Sequence, residues 1–352
     1  MRSVYLVCQQ TKISQRCWLL WSGLIAGSLL LLGCQPRSMG SNYRSGSPQD
    51  RVAKAQQILH EGLNSPAPPI RSNAIEVVAA TQQIQLLPIV RRLMRDPIVP
   101  VRFSALLAMG DLRWGPAQAD LHQIFDEEQE DTNVRMAAAY ALVRLGQHHY
   151  AEFYIKQIRN ADQTIRANAA LIIGKGRNIQ ALPELYWALQ DSQSDDRVLI
   201  QAAESIAQLG DAGIIEKLWT RLISAYADDR IDGIRAMGAL GTEQARQAIA
   251  TMLDDEVIEV QLAAAEQLGR LGDSSGEPQV LAALQGLKRA PGSDPAERLR
   301  IKALCANAIG AIGAESLTRY LPPLLEDESS VIQIATARAS LETAPQMAPL
   351  VR

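Results

Sequence analysis

Apolar residues recur through residues 51–345 with helical spacing, and the same pattern returns nine times. In each copy an apolar residue precedes a reference position, and others follow that position by three, four, six and seven residues. Side chains spaced in this way lie on one face of an α-helix. Each copy therefore predicts a helix that begins near its reference position and buries one face.

The nine reference positions are Arg71, Arg102, Arg135, Arg166, Leu199, Arg230, Gln261, Lys302 and Gln333. They are spaced by 31, 33, 31, 33, 31, 31, 41 and 31 residues. Nine copies in one register indicate a repeat array, in which every unit buries its apolar face against its neighbours. A second amphipathic segment precedes each reference position, as in residues 181–191 and 213–228. The sequence therefore predicts an all-α solenoid of about nine helix pairs across residues 51–352.

Small residues occupy one column of this array. The position three residues after the reference holds alanine, glycine, cysteine or threonine in every unit, which predicts that another helix approaches closely there. Glycine recurs eight residues after the reference, at positions 110, 174, 238, 269 and 310. Because glycine adopts the left-handed conformation that ends many helices, these glycines are predicted to cap the second helix of each unit.

The repeated pattern D-x-x-x-V/I-R-x-x-A-x-x-A-L-G resembles HEAT repeats, and its short period is similar to that of the HEAT-like repeats of phycobilin lyases. The clearest copies are residues 131–146 and 162–176. The resemblance implies that acidic and basic residues link neighbouring units. The residues that fit this role are Arg71, Arg102, Arg135, Arg166, Arg230, Asp96, Asp131 and Asp162. Leu199, Gln261 and Gln333 depart from the pattern, so the ladder is expected to be interrupted in the second half.

The resemblance also implies that the second helices line a concave face. Positions two, five and nine residues after the reference would then point into a groove, where a curved array can bind a protein partner. The candidates in these columns are Asn73, Glu76, Tyr140, Arg144, Asn168, Lys175, Gln201, Glu204, Asp232, Arg235, Glu266, Arg270 and Asn307. Their charges are mixed, and a plain solvated helix face is the alternative at each position.

One insertion interrupts the period. Units seven and eight are separated by 41 residues, and the extra segment at about 286–299 contains proline, glycine and both signs of charge. This composition is typical of a loop. The sequence predicts that residues 286–299 form a surface loop at one edge of the array.

The N-terminus has the layout of an export signal. Residues 1–17 are basic, and residues 18–33 are apolar and uncharged. This apolar run is shorter than the roughly 20 residues that span a bilayer as a helix, which favours a signal peptide over residues 1–33. Leu31-Leu32-Gly33-Cys34 resembles a bacterial lipobox, which implies cleavage before Cys34 and lipid attachment to its sulfur. An uncleaved short anchor and a signal without lipidation are the alternatives.

The residues after Cys34 predict where an anchored protein would lie. Residues 34–50 are rich in serine, glycine and arginine without periodicity, and they are expected to form a flexible tether. Gln35 follows the cysteine, and the lipobox resemblance then implies an outer-membrane location in a Gram-negative cell and the cell membrane otherwise. The predicted location is therefore exported and lipid-anchored.

Composition narrows the function further. The chain has a formal net charge of −3, and its first 33 residues contain three basic and no acidic side chains, so the remainder is more acidic still. This balance argues against nucleic acid as a partner, since phosphate binding requires clustered lysine and arginine. After Cys34 only Cys305 remains, so the folded part cannot form an internal disulfide.

The search for catalytic or metal-binding groups is largely negative. The four histidines are His60, His122, His148 and His149, and a HEAT-type metal hydroxylase would need several His-Glu pairs where this chain has His60-Glu61. The Gly-Lys-Gly stretch at 174–176 lies at the end of a repeat helix, and Cys305 occupies the column of small packing residues. We therefore expect no catalytic residue, metal or cofactor.

The sequence predicts a membrane-anchored lipoprotein scaffold that binds a protein partner through its concave face. Two other classes stay open. One is an enzyme subunit similar to the bilin lyases, which act on cytoplasmic proteins. The other is a structural spacer with no specific ligand.

Overall fold

A computed structural model describes residues 47–289 and 294–344, and every regular element in these ranges is helical. The helices are α1 (Pro48–Leu63), α2 (Pro68–Ala80), α3 (Leu87–Leu93), α4 (Val99–Asp111), α5 (Gln118–Asp126), α6 (Thr132–Arg144), α7 (Ala151–Lys156), α8 (Gln163–Lys175), α9 (Leu182–Gln190), α10 (Asp196–Gln208), α11 (Ile215–Leu222), α12 (Ala227–Leu240), α13 (Glu243–Thr251), α14 (Ile258–Arg270), α15 (Glu277–Arg289), α16 (Pro295–Ile312), α17 (Glu315–Thr318), α18 (Leu321–Leu325) and α19 (Ser330–Glu342). They form nine units, each with a first and a second helix; α17 and α18 together supply the first helix of unit nine. The predicted all-α solenoid is confirmed.

Most second helices begin three residues before the reference position, one turn earlier than the sequence pattern suggests. The start is set by local chemistry. Proline occupies the first turn of α2, where its missing N–H group would have no helical partner. Asp131 and Asp162 accept hydrogen bonds from the backbone N–H groups of Asn133 and of Thr164, which caps α6 and α8.

The glycines of the second helices differ from the prediction. Gly110 lies inside α4, and a Cβ built on it would be 2.7 Å from Tyr140 Cε1 and 2.9 Å from Ala141 Cα of the next second helix. These glycines therefore allow close helix packing. The left-handed backbone occurs three residues later, at glycines such as Gly210 with φ +81° and Gly241 with φ +66°.

Ion pairs join successive units in a ladder. Arg71 of unit one donates from Nε and Nη2 to the two carboxylate oxygens of Asp96 at 2.9 Å, and its Nη1 donates to the carbonyl of Ser65 at 2.8 Å. Arg102 donates from Nη2 to Glu130 Oε1 at 2.6 Å. The acidic partner belongs to the turn between the two helices of the following unit. Each pair therefore connects one second helix to the turn of the next unit.

The ladder continues in later units with gaps. The pairs Arg166–Asp191, Arg230–Asp255 and Lys302–Asp327 have lengths of 2.6, 2.8 and 2.6 Å. Asp131 and Asp162 cap helices instead of pairing with ladder arginines, because they lie closer to their own helices than the ladder carboxylates do. Glu130 takes the place expected for Asp131.

Four joints lack a ladder ion pair. Arg135 donates to the carbonyl of Phe125 at 3.0 Å and stacks over the Phe153 ring at 5.1 Å. Leu199 and Gln261 replace arginine at two further joints, and Gln333 does so in unit nine. The interruption predicted for the second half matches these three positions.

The predicted surface loop at residues 286–299 is largely helical. Residues 286–289 continue α15, and residues 295–299 form the first turns of α16, which has 18 residues. Leu287 and Leu299 pack against the hydrophobic core, and Arg298 donates to the Leu287 carbonyl at 3.0 Å. Both ends of the predicted loop are helical instead, because Asp294 caps α16 and Pro295 begins it, while residues 290–293 lie outside the described residues.

The array closes on itself. Helix α1 of unit one packs against both α2 and α19, so the last unit contacts the first. A Cβ built on Gly62 would lie 3.0 Å from Ala74 Cβ and 3.3 Å from Ile334 Cδ1. Lys54 pairs with Glu326 at 3.3 Å across the same boundary. We call this boundary the seam, and the nine units form a ring.

The hydrophobic core follows the ring in two clusters. Leu325, Ile334 and Ala337 of the last unit belong to the same buried cluster as Ile58 and Leu59 of the first, so apolar packing is continuous across the seam. A second cluster extends from α6 to α19 through the middle units. Both clusters have members on α6 and on α19, where they meet.

The predicted signal peptide, lipidated Cys34 and most of the tether lie outside the described residues. Within those residues, none of the helices combines the length and apolarity needed to cross a bilayer.

Candidate functional site: the inner face of the ring

The second helices line the inner side of the ring. Lys175 Nζ of α8 lies 3.0 Å from Asp111 Oδ2 of α4, although α6 stands between these helices in the ring. Arg270 of α14 approaches Glu342 of α19 in the same way, at 3.7 Å across α16. Side chains of alternate units meet only where the array curves inward. We call this surface the inner face.

One polar network lies on the inner face of units two to four. The Tyr140 hydroxyl of α6 donates to Asp111 Oδ1 at 2.6 Å, and Lys175 pairs with the other oxygen of that carboxylate. Burial raises the pKa of Tyr140, and the neighbouring Asp111 charge raises it further. The phenol therefore stays neutral at physiological pH and serves as a fixed hydrogen-bond donor.

A second network lies on the inner face of units seven to nine. Arg270 donates to Glu266 Oε1 at 2.9 Å, and Arg338 Nε lies 2.7 Å from Glu342 Oε1. The Glu266 side chain is 6% exposed and that of Arg270 is 31% exposed. The guanidinium of Arg270 thus neutralises a buried carboxylate while presenting an edge to solvent.

The structure divides the predicted groove residues into two sets. Asn73, Tyr140, Gln201, Glu266 and Asn307 are buried, with exposures between 1% and 7%. Tyr140, for example, packs between α4 and α6, with its ring against Gly110. The set that retains solvent exposure is Glu76, Arg144, Asn168, Lys175, Glu204, Asp232, Arg235 and Arg270.

Three participants were not among the sequence-derived candidates. Asp111 and Glu342 lie nine residues after the reference of their units, and Arg338 lies five residues after its own. They belong to the same columns as the predicted groove residues. Their repeat positions could therefore have identified these three residues, although no single residue type is common to the columns.

The tryptophans contribute to packing. Trp114, Trp187 and Trp219 are partly buried against the hydrophobic core. Arg159 and Arg166 place their guanidinium carbons 4.3 and 5.0 Å from the Trp187 ring, so this indole is covered by two cations. It stabilises the joint between units four and five.

The side chains that could take part in catalysis or metal binding lie outside the inner face and are dispersed. Among residues 47–289 and 294–344, no three His, Cys, Asp or Glu side chains assemble as metal ligands. Cys305 is fully buried, and burial raises the pKa of its thiol to about 12. His148 and His149 lie exposed in a short 3-10 helix. The inner face therefore offers charged and hydrogen-bonding groups for binding.

Comparison with known proteins identifies the family. A family model described as HEAT repeats matches residues 56–143 and 151–233. A second model, described as PBS lyase HEAT-like repeat, matches residues 260–287. Together these segments cover more than half of the chain. The chain belongs to the HEAT-repeat family.

Similar proteins include enzymes and an enzyme complex. Deoxyhypusine hydroxylase of Drosophila melanogaster is 22% identical over 213 residues, which are 53% of this chain and 68% of that protein. The structure of human deoxyhypusine hydroxylase in complex with glycerol is 18% identical, with a TM-score of 0.36, and the match covers 76% of this chain and 98% of that chain. The complex of CpcE and CpcF of phycocyanin lyase from Nostoc sp. PCC7120 is 16% identical, with a TM-score of 0.39. The match covers 72% of this chain and 94% of that chain.

Proposed function

We propose that this protein is an exported, lipid-anchored scaffold that binds a protein partner through the exposed part of the inner face. The observation that carries the proposal is the set of half-exposed charges on that face. Arg235, Lys175 and Glu204 remain partly open to solvent, while the apolar surface around them is buried. Charged groups held on a rigid helix face favour recognition of a complementary protein surface.

The anchoring part of the proposal rests on the sequence before the folded ring. A basic segment, a short apolar run and the Leu-Leu-Gly-Cys motif ending at Cys34 precede a polar tether. A diacylated cysteine would hold the ring at a membrane, since two chains bind stably where one is marginal. The partner would then be a protein of the cell envelope.

Cell fractionation with intact mass spectrometry tests the anchor. Wild-type protein is expected in the membrane fraction, beginning at Cys34 with added lipid mass, and Cys34→Ala is expected to lose that mass. Full-length protein in the cytosol for both forms would contradict the anchor. A role similar to that of a lyase subunit would then become the better hypothesis.

Site-specific photocrosslinking tests the binding face. A photoreactive amino acid replaces Glu204 on the inner face in one variant and exposed Ile84 in the matched control. The proposal expects an envelope protein to be cross-linked from position 204 and not from position 84. Equal cross-linking from both positions, or none from either, would contradict binding through the inner face.

A further inference from the structure

The seam contains a cleft. It has a volume of about 640 Å³ and is lined by Ile58, Ser65 and Pro66 of unit one and by Ser330, Gln333 and Ile334 of unit nine. The cleft thus lies directly between the first and the last unit. The residues at the ladder positions of the seam explain why no side chain fills the cleft.

Gln333 and Ser65 occupy the two ladder positions of the seam. In the joints of Arg71, Arg230 and Lys302 the ladder residue pairs with an acid 25 residues later, as Arg71 pairs with Asp96. That acid lies six residues before the next reference position. Continued around the ring, the series places Gln333 opposite Ser65, which precedes Arg71 by six residues. Neither side chain is long and charged, so the space that an ion pair fills in the five paired joints stays open here.

The backbone geometry of the ladder is nevertheless retained on both sides of the seam. Gln333 Nε2 donates to the Asp327 carbonyl at 2.8 Å, just as Arg102 Nη1 donates to the Asp96 carbonyl at 2.8 Å. Arg71 donates to the Ser65 carbonyl at the same distance. The seam is therefore a ladder joint in which both charged partners are missing.

The ion pair that crosses the seam lies near solvent. Lys54 and Glu326 have side-chain exposures of 33% and 67%, and Arg51 reaches the Thr318 carbonyl at 3.4 Å. An exposed ion pair contributes little to stability, because water competes for both charges. The Arg71 and Asp96 side chains, by contrast, are 11% and 5% exposed. Moreover, the polypeptide chain connects the two units at every other joint, whereas units one and nine are not consecutive in the sequence.

We propose that the seam is the gate of the ring, and that its opening admits the partner to the inner face. This inference rests on the proposed function, because the gate serves the same binding surface. Opening separates α1 from α19 and uncovers Ile58 and Ile334 along with the inner ends of the second helices. The other joints stay closed, since they retain ladder pairs or chain connections.

Hydrogen exchange of the purified full chain tests the gate without any partner. Amides of α1 and α19 are expected to exchange at least about tenfold faster than those of α8 and α10, which flank the Arg166–Asp191 pair. Equal protection in the two regions would overturn the proposal.

A repaired ladder tests whether the fast exchange comes from the seam. The double variant Gln333→Arg, Ser65→Asp restores both partners, and it is expected to slow exchange in α1 and α19 by about tenfold while α8 and α10 stay unchanged. Gln333→Arg alone is the matched control and should produce little slowing. If the double variant leaves exchange in α1 and α19 unaltered, these helices fray individually and no gate exists.

A zero-length carbodiimide link between Lys54 and Glu326 provides an independent lock, mapped by peptide mass spectrometry. Linked monomer is expected to show the same slowed exchange and a reduced cross-linking yield from position 204. Slowed exchange with an unchanged yield would overturn the gate while leaving the scaffold function intact. Loss of cross-linking from position 204 in the unlocked protein would instead contradict the scaffold function.

Discussion

Unit one has two neighbours, and the structure joins it to them in different ways. On one side Arg71 forms a buried bidentate pair with Asp96 of unit two. On the other side Gln333 of unit nine faces Ser65 across an open cleft. Both boundaries bury apolar residues, so hydrophobic packing alone does not distinguish them. Ladder pairs hold five of the eight chain-connected joints, while the boundary formed by ring closure does without one.

The largest expected effect comes from removing the carboxylate of the intact joint. Asp96→Ala should lower the free energy of unfolding by about 3 kcal/mol, because it leaves the Arg71 guanidinium partly buried without its counterion. It also removes the acceptor for the Ile98 N–H group. Urea unfolding followed by circular dichroism measures the change.

The control is the equivalent position at the seam. Ser65→Ala removes a hydroxyl group beside the cleft that accepts a hydrogen bond from the Ala67 N–H group at 3.2 Å, and its expected cost is about 1 kcal/mol. Comparable losses for Asp96→Ala and Ser65→Ala would show that the two sides of unit one are held alike.

Close helix packing gives the second contrast. Gly110→Ala should cost about 2 kcal/mol, since the added methyl group would meet Tyr140 Cε1 at 2.7 Å and the backbone of Ala141 at 2.9 Å. Gly62→Ala at the seam meets Ala74 at 3.0 Å and the flexible end of Ile334 at 3.3 Å. There the helix-favouring effect of alanine offsets most of the strain.

Thermal unfolding of these two variants provides the measurement. A drop in melting temperature confined to Gly110→Ala supports tight packing between units two and three and looser packing at the seam. A larger drop for Gly62→Ala would reverse that order.

Much of this architecture follows from the sequence register. The nine units, the small-residue column and the ladder gaps at Leu199, Gln261 and Gln333 could all be predicted, because each depends on residues within one unit and its neighbour. Ring closure could not be predicted in this way. It depends on small rotations between units that add up over the whole array, and no local sequence pattern determines the total rotation.

The same limit applies to the inner face. The columns two, five and nine residues after the reference were predicted to face inward, and Tyr140 and Glu266 in these columns are buried. Burial there depends on curvature. The left-handed position was also predicted wrongly, because it lies eleven and not eight residues after the reference. At Gln82, Arg113 and Arg177 this position holds a residue other than glycine, so the sequence does not mark it.

These left-handed positions give a smaller effect. Gln82 in unit one has φ 54°, which costs energy for a residue with a Cβ atom. Gln82→Gly is therefore expected to raise the free energy of unfolding by about 0.5–1 kcal/mol, the part of the strain that remains after glycine's greater entropy in the unfolded state. Gly210→Ala is the converse control, since φ is +81° and nothing lies within 4 Å of the added methyl group. A loss of stability for Gln82→Gly would contradict the strain argument.

The smallest expected effect concerns the charges that cross the seam. Lys54→Gln removes the exposed pair with Glu326 and should lower stability by about 0.5 kcal/mol at low salt. Because the pair is exposed, raising the ionic strength should abolish the difference between Lys54→Gln and wild type. The effect of Asp96→Ala should persist under the same conditions, since that joint is shielded from ions. Urea unfolding at low and high salt distinguishes the two, and a salt-insensitive loss for Lys54→Gln would mean that the seam holds its charges as firmly as the Arg71 joint does.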